Sequence, residues 1–250
     1  ERFIDQHVRI DPKSRTRPHI TLTYATSLDG KIAILPGART ALSGTESKSM
    51  THYLRKLHDG ILIGVGTALS DDPSLNCRYP STTSPNHPRP IVVDPRARWD
   101  VWQSKVYGLK QQEQGKLPLV FVADPPSNPQ PGAVHCPVPT LKENSQVVRP
   151  MQTASNGRFE WEVLFKVLLD ANIQSVMIEG GATVINDLLI RPNLVDSIIV
   201  TVAPTYLGGQ GVGIGPRARD EGGKRTNPAT IADAEYMRFG NDVVVAGTLR

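Results

Sequence analysis

The stretch Ser175–Leu189 (SVMIEGGATVINDLL) joins an apolar run, a carboxylate, two glycines and a helical apolar spacing. Val176, Met177 and Ile178 read as a buried strand, Gly180-Gly181 as a tight turn, and Val184, Ile185, Leu188 and Leu189 as the core face of a helix. The free N–H groups at the start of such a helix favour anions, and glycines let a phosphate approach the backbone closely. Packing does not explain Glu179 at the mouth of an anion site. It points to a ligand that carries hydrogen-bond donors as well as phosphate. A second cluster, Ile61–Arg78 (ILIGVGTALSDDPSLNCR), gathers Thr67, Asp71 and Arg78 in one loop at a strand's C-terminal end, where α/β proteins bind ligands. Gly64-Val65-Gly66-Thr67 approaches a dinucleotide fingerprint. Leu69 replaces the third glycine and Asp71-Asp72-Pro73 cuts the helix short, so a Rossmann start is not expected.

The elements that must position these residues follow from periodicity. Ile20–Ser27 alternates and is the first predicted strand; Asp29-Gly30 turns the chain, and Lys31–Ile34 continues extended. Ser43-Gly44-Thr45-Glu46 has the form of a capping box, and Met50, Tyr53, Leu54 and Leu57 predict a helix from Gly44 to His58. Ile61–Ile63, Ile91–Val93, Leu117–Val122 and Val195–Val202 are further predicted strands, and Glu160–Ala171 an amphipathic helix. Pro80–Pro90 and Pro125–Pro139 read as proline-rich loops, with a short strand over Ala133–Cys136 as an option. Arg217–Pro228 is polar and expected to be mobile. Ile231–Phe239 and Asp242–Leu249, separated by Gly240-Asn241, read as a closing antiparallel hairpin. The expected fold class is α/β, a mixed sheet with a parallel centre, an antiparallel C-terminal edge and helices on both faces. Residues 1–17 are expected to form an extended or loosely docked arm, and residues 18–250 a single domain.

Composition narrows the function classes. The 250 residues are 39% hydrophobic and 21% charged, ordinary globular usage. No apolar run approaches membrane-spanning length, and no signal peptide opens the chain. Cys77 and Cys136 stand without CxxC spacing, which argues against a disulfide framework or structural zinc and fits a cytoplasmic location. The net charge is +4 and the pI about 9.1. The basic residues are scattered apart from loose clusters at Arg96-Ala97-Arg98 and Arg217–Arg225, with no aromatic interleaving. Nucleic-acid binding therefore rests on pI alone, and no metal site is expected.

Several motifs in order carry a family likeness: Ser27-Leu28-Asp29-Gly30-Lys31; Gly66-Thr67 with Asp71-Asp72-Pro73-Ser74-Leu75 and Arg78; Ile91-Val92-Val93-Asp94; Glu179-Gly180-Gly181; and Asp196 through Pro204 with Gly208-Gly209. Over roughly Pro18 to the C-terminus the chain resembles the riboflavin-pathway reductases that convert a ribosylaminopyrimidinone phosphate to its ribitylamino form. The resemblance implies a dihydrofolate-reductase-like fold, NADPH as cofactor and a homodimer. The H-x-E and P-C-x-x-C motifs of fused zinc deaminases are missing, so the likeness is to the stand-alone, fungal-type reductase.

Carried over by resemblance, Gly180, Gly181, Ala182, Thr183 and Val184 wrap the NADPH pyrophosphate. Thr67 and Asp71 contact the cofactor, Ala25 faces the nicotinamide, and Arg96 lies near the adenosine 2′-phosphate. Arg55 and Arg78 hold the substrate phosphate, Leu75 and Ser43 line the substrate pocket, and Glu179 accepts hydrogen bonds from the pyrimidine amino groups. Asp71 is the candidate for stabilising a protonated imine at carbon 1′ during hydride transfer. Ala25 is equally well read as a core residue and Arg96 as a surface one, an ordinary solvated arginine competes at Arg55, and the capping box already accounts for Ser43. Thr23 stands where bacterial members often carry lysine, and the six histidines match no family site. Competing readings are another NADPH reductase on this fold, acting on dihydrofolate or other imines, and a non-catalytic nucleotide-binding module.

Overall fold

The structure is a computed structural model, described here for residues 1–10, 16–80, 87–123 and 148–250. Its elements, in chain order, begin with α1 (Arg2–His7), β1 (His19–Ser27), β2 (Lys31–Ala33), α2 (Thr45–Leu57) and β3 (Gly60–Gly64). There follow α3 (Val65–Asp71), β4 (Arg89–Val93), α4 (Lys105–Gln111), β5 (Leu119–Ala123), β6 (Val148–Met151) and α5 (Trp161–Asp170). The remainder is β7 (Ser175–Ile178), α6 (Ala182–Leu189), β8 (Ser197–Ala203), β9 (Val212–Gly213), β10 (Arg219–Glu221), β11 (Lys224–Thr226), β12 (Ile231–Phe239) and β13 (Asp242–Leu249).

Nine strands form one sheet in the order β12-β13-β8-β1-β7-β3-β4-β5-β6. The run from β8 to β6 is parallel, and the β12–β13 hairpin joins it antiparallel through β8. This is the mixed sheet that the sequence pattern implies. The two-residue period of the strands sorts their side chains onto two faces. Val176 and Ile178 of β7, with Ile20 and Leu22 of β1, pack under α5 and α6. Met177 of β7 faces α1 and α2 instead, beside Met50 and Leu54. Ile61 and Ile63 of β3 meet Ala68 of α3 and Val106 of α4.

Two local expectations need correction, and several elements are additional to the sequence reading. Residues 2–7 are not an extended arm but a helix whose Phe3 and Ile4 are buried against the α2 side of the sheet. Two large apolar side chains one residue apart supply enough buried area to dock a single helical turn. Helix α2 begins at Thr45, with Gly44 as N-cap and no side-chain cap, so Ser43 is not a capping residue. Gly44 instead donates its N–H to Asp242 Oδ2 at 2.8 Å, tying the helix start to the hairpin. The polar segment 217–228 contains a small antiparallel ladder of β10 and β11. Helix α4 and strand β6 had no sequence-based expectation. The proposed short strand at 133–136 lies outside the described residues, as do the whole loop 125–139 and residues 81–86 of the loop 80–90.

On the α2 side, β1 presents polar Thr21, and this would be costly without a partner. His58, at the C-cap of α2, supplies one: its Nδ1–H donates to the Leu54 carbonyl (2.7 Å) and its Nε2 accepts from Thr21 Oγ1 (2.8 Å). Burial pushes the imidazole down to about 4 from an ordinary 6.5. A group whose folded-state value is depressed contributes its stability in full above the unfolded value and loses it as pH falls. Stability should therefore decline as pH drops from about 6.5 toward 4. Denaturant unfolding of wild type and His58→Leu across that window should give a shallower pH slope for the variant.

Candidate active site

Three cavities lie in a row along the C-terminal ends of β1, β7, β3 and β4. The first, of about 430 Å³, is bounded by Tyr24 and Ala25 on β1, by one face of α2, and by Thr67, Asp71, Arg78 and Glu179. The second, of about 360 Å³, shares Thr67, Asp71 and Gly181 with the first and adds Ala182, Thr183 and Val184. The third, of about 270 Å³, shares Gly64, Gly66, Thr183 and Val184 with the second and ends at Arg98, Arg158 and Trp161. The shared walls make these a single elongated cleft with a basic end, a middle and a mainly apolar end.

The middle is built from two strand–helix turns on adjacent strands, β3–α3 and β7–α6. At Gly180 a Cβ would stand 2.7 Å from Val184 Cβ, and at Gly181 one would stand 2.9 Å from Thr67 Oγ1. A side chain at either position would force its neighbour to shift. A Cβ on Gly66 would meet nothing within 4 Å, so that glycine leaves open space along the cleft wall. The N-terminal end of α6 carries no side-chain cap, and its free N–H groups lie at this wall. An open backbone wall and an uncapped helix start suit a pyrophosphate.

At the basic end, Arg55 and Glu179 form a forked pair: Nε to Oε1 at 2.8 Å and Nη2 to Oε2 at 2.7 Å. Arg55 Nη1 also donates to the Asn76 carbonyl (3.1 Å), and Arg78 Nη1 donates to Asn76 Oδ1 (2.8 Å). Buried Asn76 thus aligns both arginines. The loop that carries it is strained: Asp72 and Leu75 adopt φ values of 38° and 50°, in a region non-glycine residues avoid. Leu75 is fully buried among Ile61, Ile63 and Val92, which holds the loop in that shape.

The cleft gathers most of the residues singled out in the sequence. Ala25, Ser43, Arg55, Thr67, Asp71, Arg78, Glu179, Gly180 and Gly181 line the basic end. Ala182, Thr183 and Val184 line the middle. Two do not fit. Leu75 lies beneath the cleft in the core, because its left-handed backbone turns the side chain inward. Arg96 is exposed and absent from the wall, whereas Arg98 and Arg158 form it. The turn after β4 explains the change: Asp94, fully buried, accepts the Trp99 N–H at 2.8 Å, and Arg98 Nε comes within 3.9 Å of Asp94 Oδ1.

Sequence reasoning missed Tyr24, Arg39, Lys48, Thr51 and His52 at the basic end. The signal was available for three of them: Lys48, Thr51, His52 and Arg55 recur at the spacing of one helical face. His52 Nδ1 accepts the Arg78 N–H at 3.2 Å. Burial, then the guanidiniums of Arg55 and Arg78, push its imidazole down to about 4, so it is neutral at pH 7. Burial pushes the Tyr24 phenol up to about 12, and its hydroxyl stays protonated. The Ser27-Leu28-Asp29-Gly30 motif has a structural task. Asp29 accepts from Ser27 Oγ (2.5 Å) and from the N–H groups of Leu207 (3.1 Å) and Gly208 (2.8 Å), and these bonds hold its carboxyl at about 2. Thr23 is buried and is absent from the cleft wall. Among the described residues, no group of three or more His, Cys, Asp or Glu could hold a metal ion. No helix among them is long and apolar enough to cross a membrane.

A double-mutant cycle tests the forked pair. Arg55→Ala and Glu179→Ala should each destabilise by about 1–3 kcal/mol. The double variant should cost less than the sum, with a coupling energy of roughly 1 kcal/mol or more in denaturant unfolding. Additive losses would mean that the two side chains do not act as a pair.

The family model described as the RibD C-terminal domain matches residues 18–245. The Saccharomyces cerevisiae protein named 2,5-diamino-6-ribosylamino-4(3H)-pyrimidinone 5′-phosphate reductase is 42% identical over 233 residues, covering 93% of this chain and 87% of that protein. The Kluyveromyces marxianus protein of the same name is 41% identical over 209 residues, covering 81% and 79%. The solved structure of the Saccharomyces cerevisiae riboflavin biosynthesis reductase Rib7 superposes with a TM-score of 0.74 at 34% identity, covering 95% of this chain and 92% of that one. Acinetobacter baumannii RibD shares the fold, with a TM-score of 0.71 at 21% identity, covering 95% of this chain and 59% of that one. With a family match over nearly its whole length and relatives above 40% identity, the chain belongs to the RibD C-terminal domain family of reductases.

Proposed function

We propose that this protein reduces 2,5-diamino-6-ribosylamino-4(3H)-pyrimidinone 5′-phosphate to its ribitylamino form with NADPH. The observation that carries the reading is the single cleft. It joins a basic pocket with a forked carboxylate, a glycine-walled helix N-terminus and a mainly apolar end with two arginines. Membership of this reductase family implies a nicotinamide cofactor, and the relatives' names supply the substrate.

Gly180, Gly181, Ala182 and Thr183 would hold the pyrophosphate, with Thr67 and Asp71 beside it. The adenosine end would reach the third cavity, where Arg98 and Arg158 are placed to read a 2′-phosphate. Arg158 is anchored loosely, 3.8 Å from an Asp187 carboxylate that also accepts from Trp161 Nε1 (2.8 Å). It is therefore free to turn toward a stronger anion. When bound, the reduced nicotinamide supplies the hydride that carbon 1′ of the ring-opened imine accepts, while the imine nitrogen carries a proton.

The chain's own contribution is orientation and electrostatics. Glu179, fixed by Arg55, accepts hydrogen bonds from the pyrimidine amino groups with its remaining lone pairs. Asp71 lines both the basic and the middle cavities and so lies where the two ligands meet. Its carboxylate favours the protonated imine, the better hydride acceptor. Ser70 Oγ donates to Asp71 Oδ1 at 2.9 Å and fixes its direction. Tyr24 contributes a protonated hydroxyl, and the nearby Ala25 leaves room for a flat ring. A homodimer completes the reading, supported by exposed Tyr236, Met237 and Val243 on the hairpin that edges the sheet, and the biosynthetic role in the relatives' names suits a cytoplasmic location.

The direct test follows loss of NADPH absorbance with the freshly prepared phosphorylated ribosylaminopyrimidine. Wild type should turn over, and Glu179→Ala and Arg78→Ala should each lose roughly a hundredfold in kcat/KM, the scale of one charge-assisted hydrogen bond. Turnover of dihydrofolate instead would move the chain to another reductase on this fold. A second measurement titrates the cofactors alone: Arg158→Ala should weaken NADPH about tenfold and leave NADH unchanged. Equal weakening of both would remove Arg158 from 2′-phosphate recognition.

A further inference from the structure

Helix α1 lies before the residues that the family model matches, which begin at 18. Phe3 and Ile4 dock it in the core beside Met50 and Leu54 of α2, and Ser197 Oγ of β8 donates to the His7 carbonyl at its far end (2.7 Å). Its polar side makes a further set of contacts that this docking does not require. The Tyr53 hydroxyl of α2 donates to Asp5 Oδ1 at 2.7 Å, and the Tyr79 hydroxyl donates to Glu1 Oε1 at 2.8 Å. The two tyrosine rings lie 5.2 Å apart, and Lys56 Nζ of α2 stands 5.4 Å from the Tyr79 ring centroid, within cation–π range. Burial and then Asp5 push the Tyr53 phenol up, and the bond to Glu1 does the same for Tyr79, so both hydroxyls stay protonated donors.

Tyr79 directly follows Arg78, and Arg78 lines the basic end of the cleft. The backbone at this point is held from α2 and from within the loop. Arg78 donates its N–H to His52 Nδ1 at 3.2 Å, Tyr79 donates its N–H to Cys77 Sγ at 3.4 Å, and the Cys77 thiol donates to the His52 carbonyl at 3.1 Å. These bonds join the loop to one element. The tyrosine pair joins it to a second, α1, which the core anchors independently of the loop. Such support matters for a binding group, because a misplacement of about 1 Å can cost on the order of a hundredfold in rate.

We infer that α1 is a clasp on the loop that carries Arg78, and that Asp5, Tyr53 and Tyr79 are positioning residues for substrate binding. Asp5 fixes the Tyr53 hydroxyl, Tyr53 and Lys56 pack against the Tyr79 ring, and Tyr79 sets the backbone from which Arg78 reaches the cleft. None of the three positioning residues is in the cleft wall, so they act through Arg78. The kinetic consequence rests on the proposed substrate. The clasp itself goes beyond that reading, because it gives a task to a helix outside the matched domain.

The test combines steady-state kinetics with amide hydrogen exchange on wild type, Asp5→Ala, Asp5→Asn, Tyr79→Ala, Arg78→Ala and the Tyr79→Ala/Arg78→Ala double variant. Tyr79→Ala should raise KM for the phosphorylated ribosylaminopyrimidine about tenfold, with kcat within about twofold and NADPH affinity unchanged. Asp5→Ala should raise KM about threefold, and Asp5→Asn, which keeps a hydrogen-bond acceptor, should recover most of that loss. The double variant should match Arg78→Ala in kcat/KM, because Tyr79 acts through the side chain already removed. Losses that multiply in the double variant, or an unchanged KM in Tyr79→Ala, would overturn the positioning role. Exchange needs no turnover: the amides of residues 75–79 should exchange about tenfold faster in Tyr79→Ala, and Asp5→Ala should move them the same way. If wild type does not reduce the ribosylaminopyrimidine, the proposed reaction falls, and faster exchange in both variants still upholds the clasp. Exchange at the wild-type rate removes the clasp whatever the turnover.

Discussion

The fork between Arg55 and Glu179 is the contact on which the cleft's geometry depends. It joins the last two turns of α2 to the residue that ends β7, and these two elements bound the basic pocket from opposite sides. Glu179 is held from the backbone as well, its N–H donating to the Leu62 carbonyl of β3 at 3.1 Å. The carboxylate is therefore positioned by the sheet and the guanidinium by the helix. Both side chains are largely buried, so solvent screens their attraction little. Such a pair adds little net stability, because desolvation offsets much of the Coulomb gain. Its value is direction: the Oε atoms present fixed lone pairs to whatever lies across the pocket.

Around that fork the charge is laid out unevenly along the cleft. The basic end carries free cations, the middle offers backbone N–H groups, a helix end and the Thr67 and Ser70 hydroxyls beside Asp71, and the far end is apolar up to Arg98 and Arg158. A ligand with two anionic groups separated by neutral surface would find a partner for each. A single small anion would be held weakly, since no one place concentrates all the cations. This favours two ligands that meet near Asp71 over one compact polyanion, and it weakens the reading of the chain as a non-catalytic nucleotide sensor.

Much of this was legible in the sequence, for identifiable reasons. The parallel strands are continuous apolar runs because both faces are covered, and the hairpin alternates because it is the sheet's edge. Glu179-Gly180-Gly181 was legible because its parts are local: strand end, turn and helix start adjoin in the chain. Leu75 and Arg96 were misplaced because their directions depend on backbone geometry that residue types do not reveal. Leu75 takes a left-handed φ despite its side chain, and buried Asp94 shapes the turn that exposes Arg96 and brings Arg98 to the wall. Lys48 and His52 were overlooked for a different reason. The helix carries a clear apolar stripe, and its opposite face reads as ordinary solvated surface until β1 and the 38–43 segment are seen to form the facing walls of the cavity. Arg158 had no local signal, because only the tertiary packing of α5 against α6 brings it to the cleft.

The missing third glycine is also explained by packing. In a dinucleotide fingerprint that glycine lets the helix lie close to the strands. Here the close approach is made across neighbouring strands. Gly64 at the end of β3 faces Val184 of α6, where a Cβ would stand 3.1 Å from Val184 Cγ2, and Gly181 faces Thr67 of α3 in return. The two turns interlock, each supplying the small residue that the other's side chain needs. Substituting either glycine would therefore disturb both turns, and the backbone wall between them would be displaced as a unit. The same interlock accounts for the short α3. A seven-residue helix ending at Asp71 brings Thr67 against Gly181 and leaves Asp71 at the junction of the basic and middle cavities. A longer helix would carry the chain onward and remove the Asp72–Leu75 kink that returns it to Arg78. The break that argued against a Rossmann start is thus the feature that brings the basic and middle cavities together at Asp71.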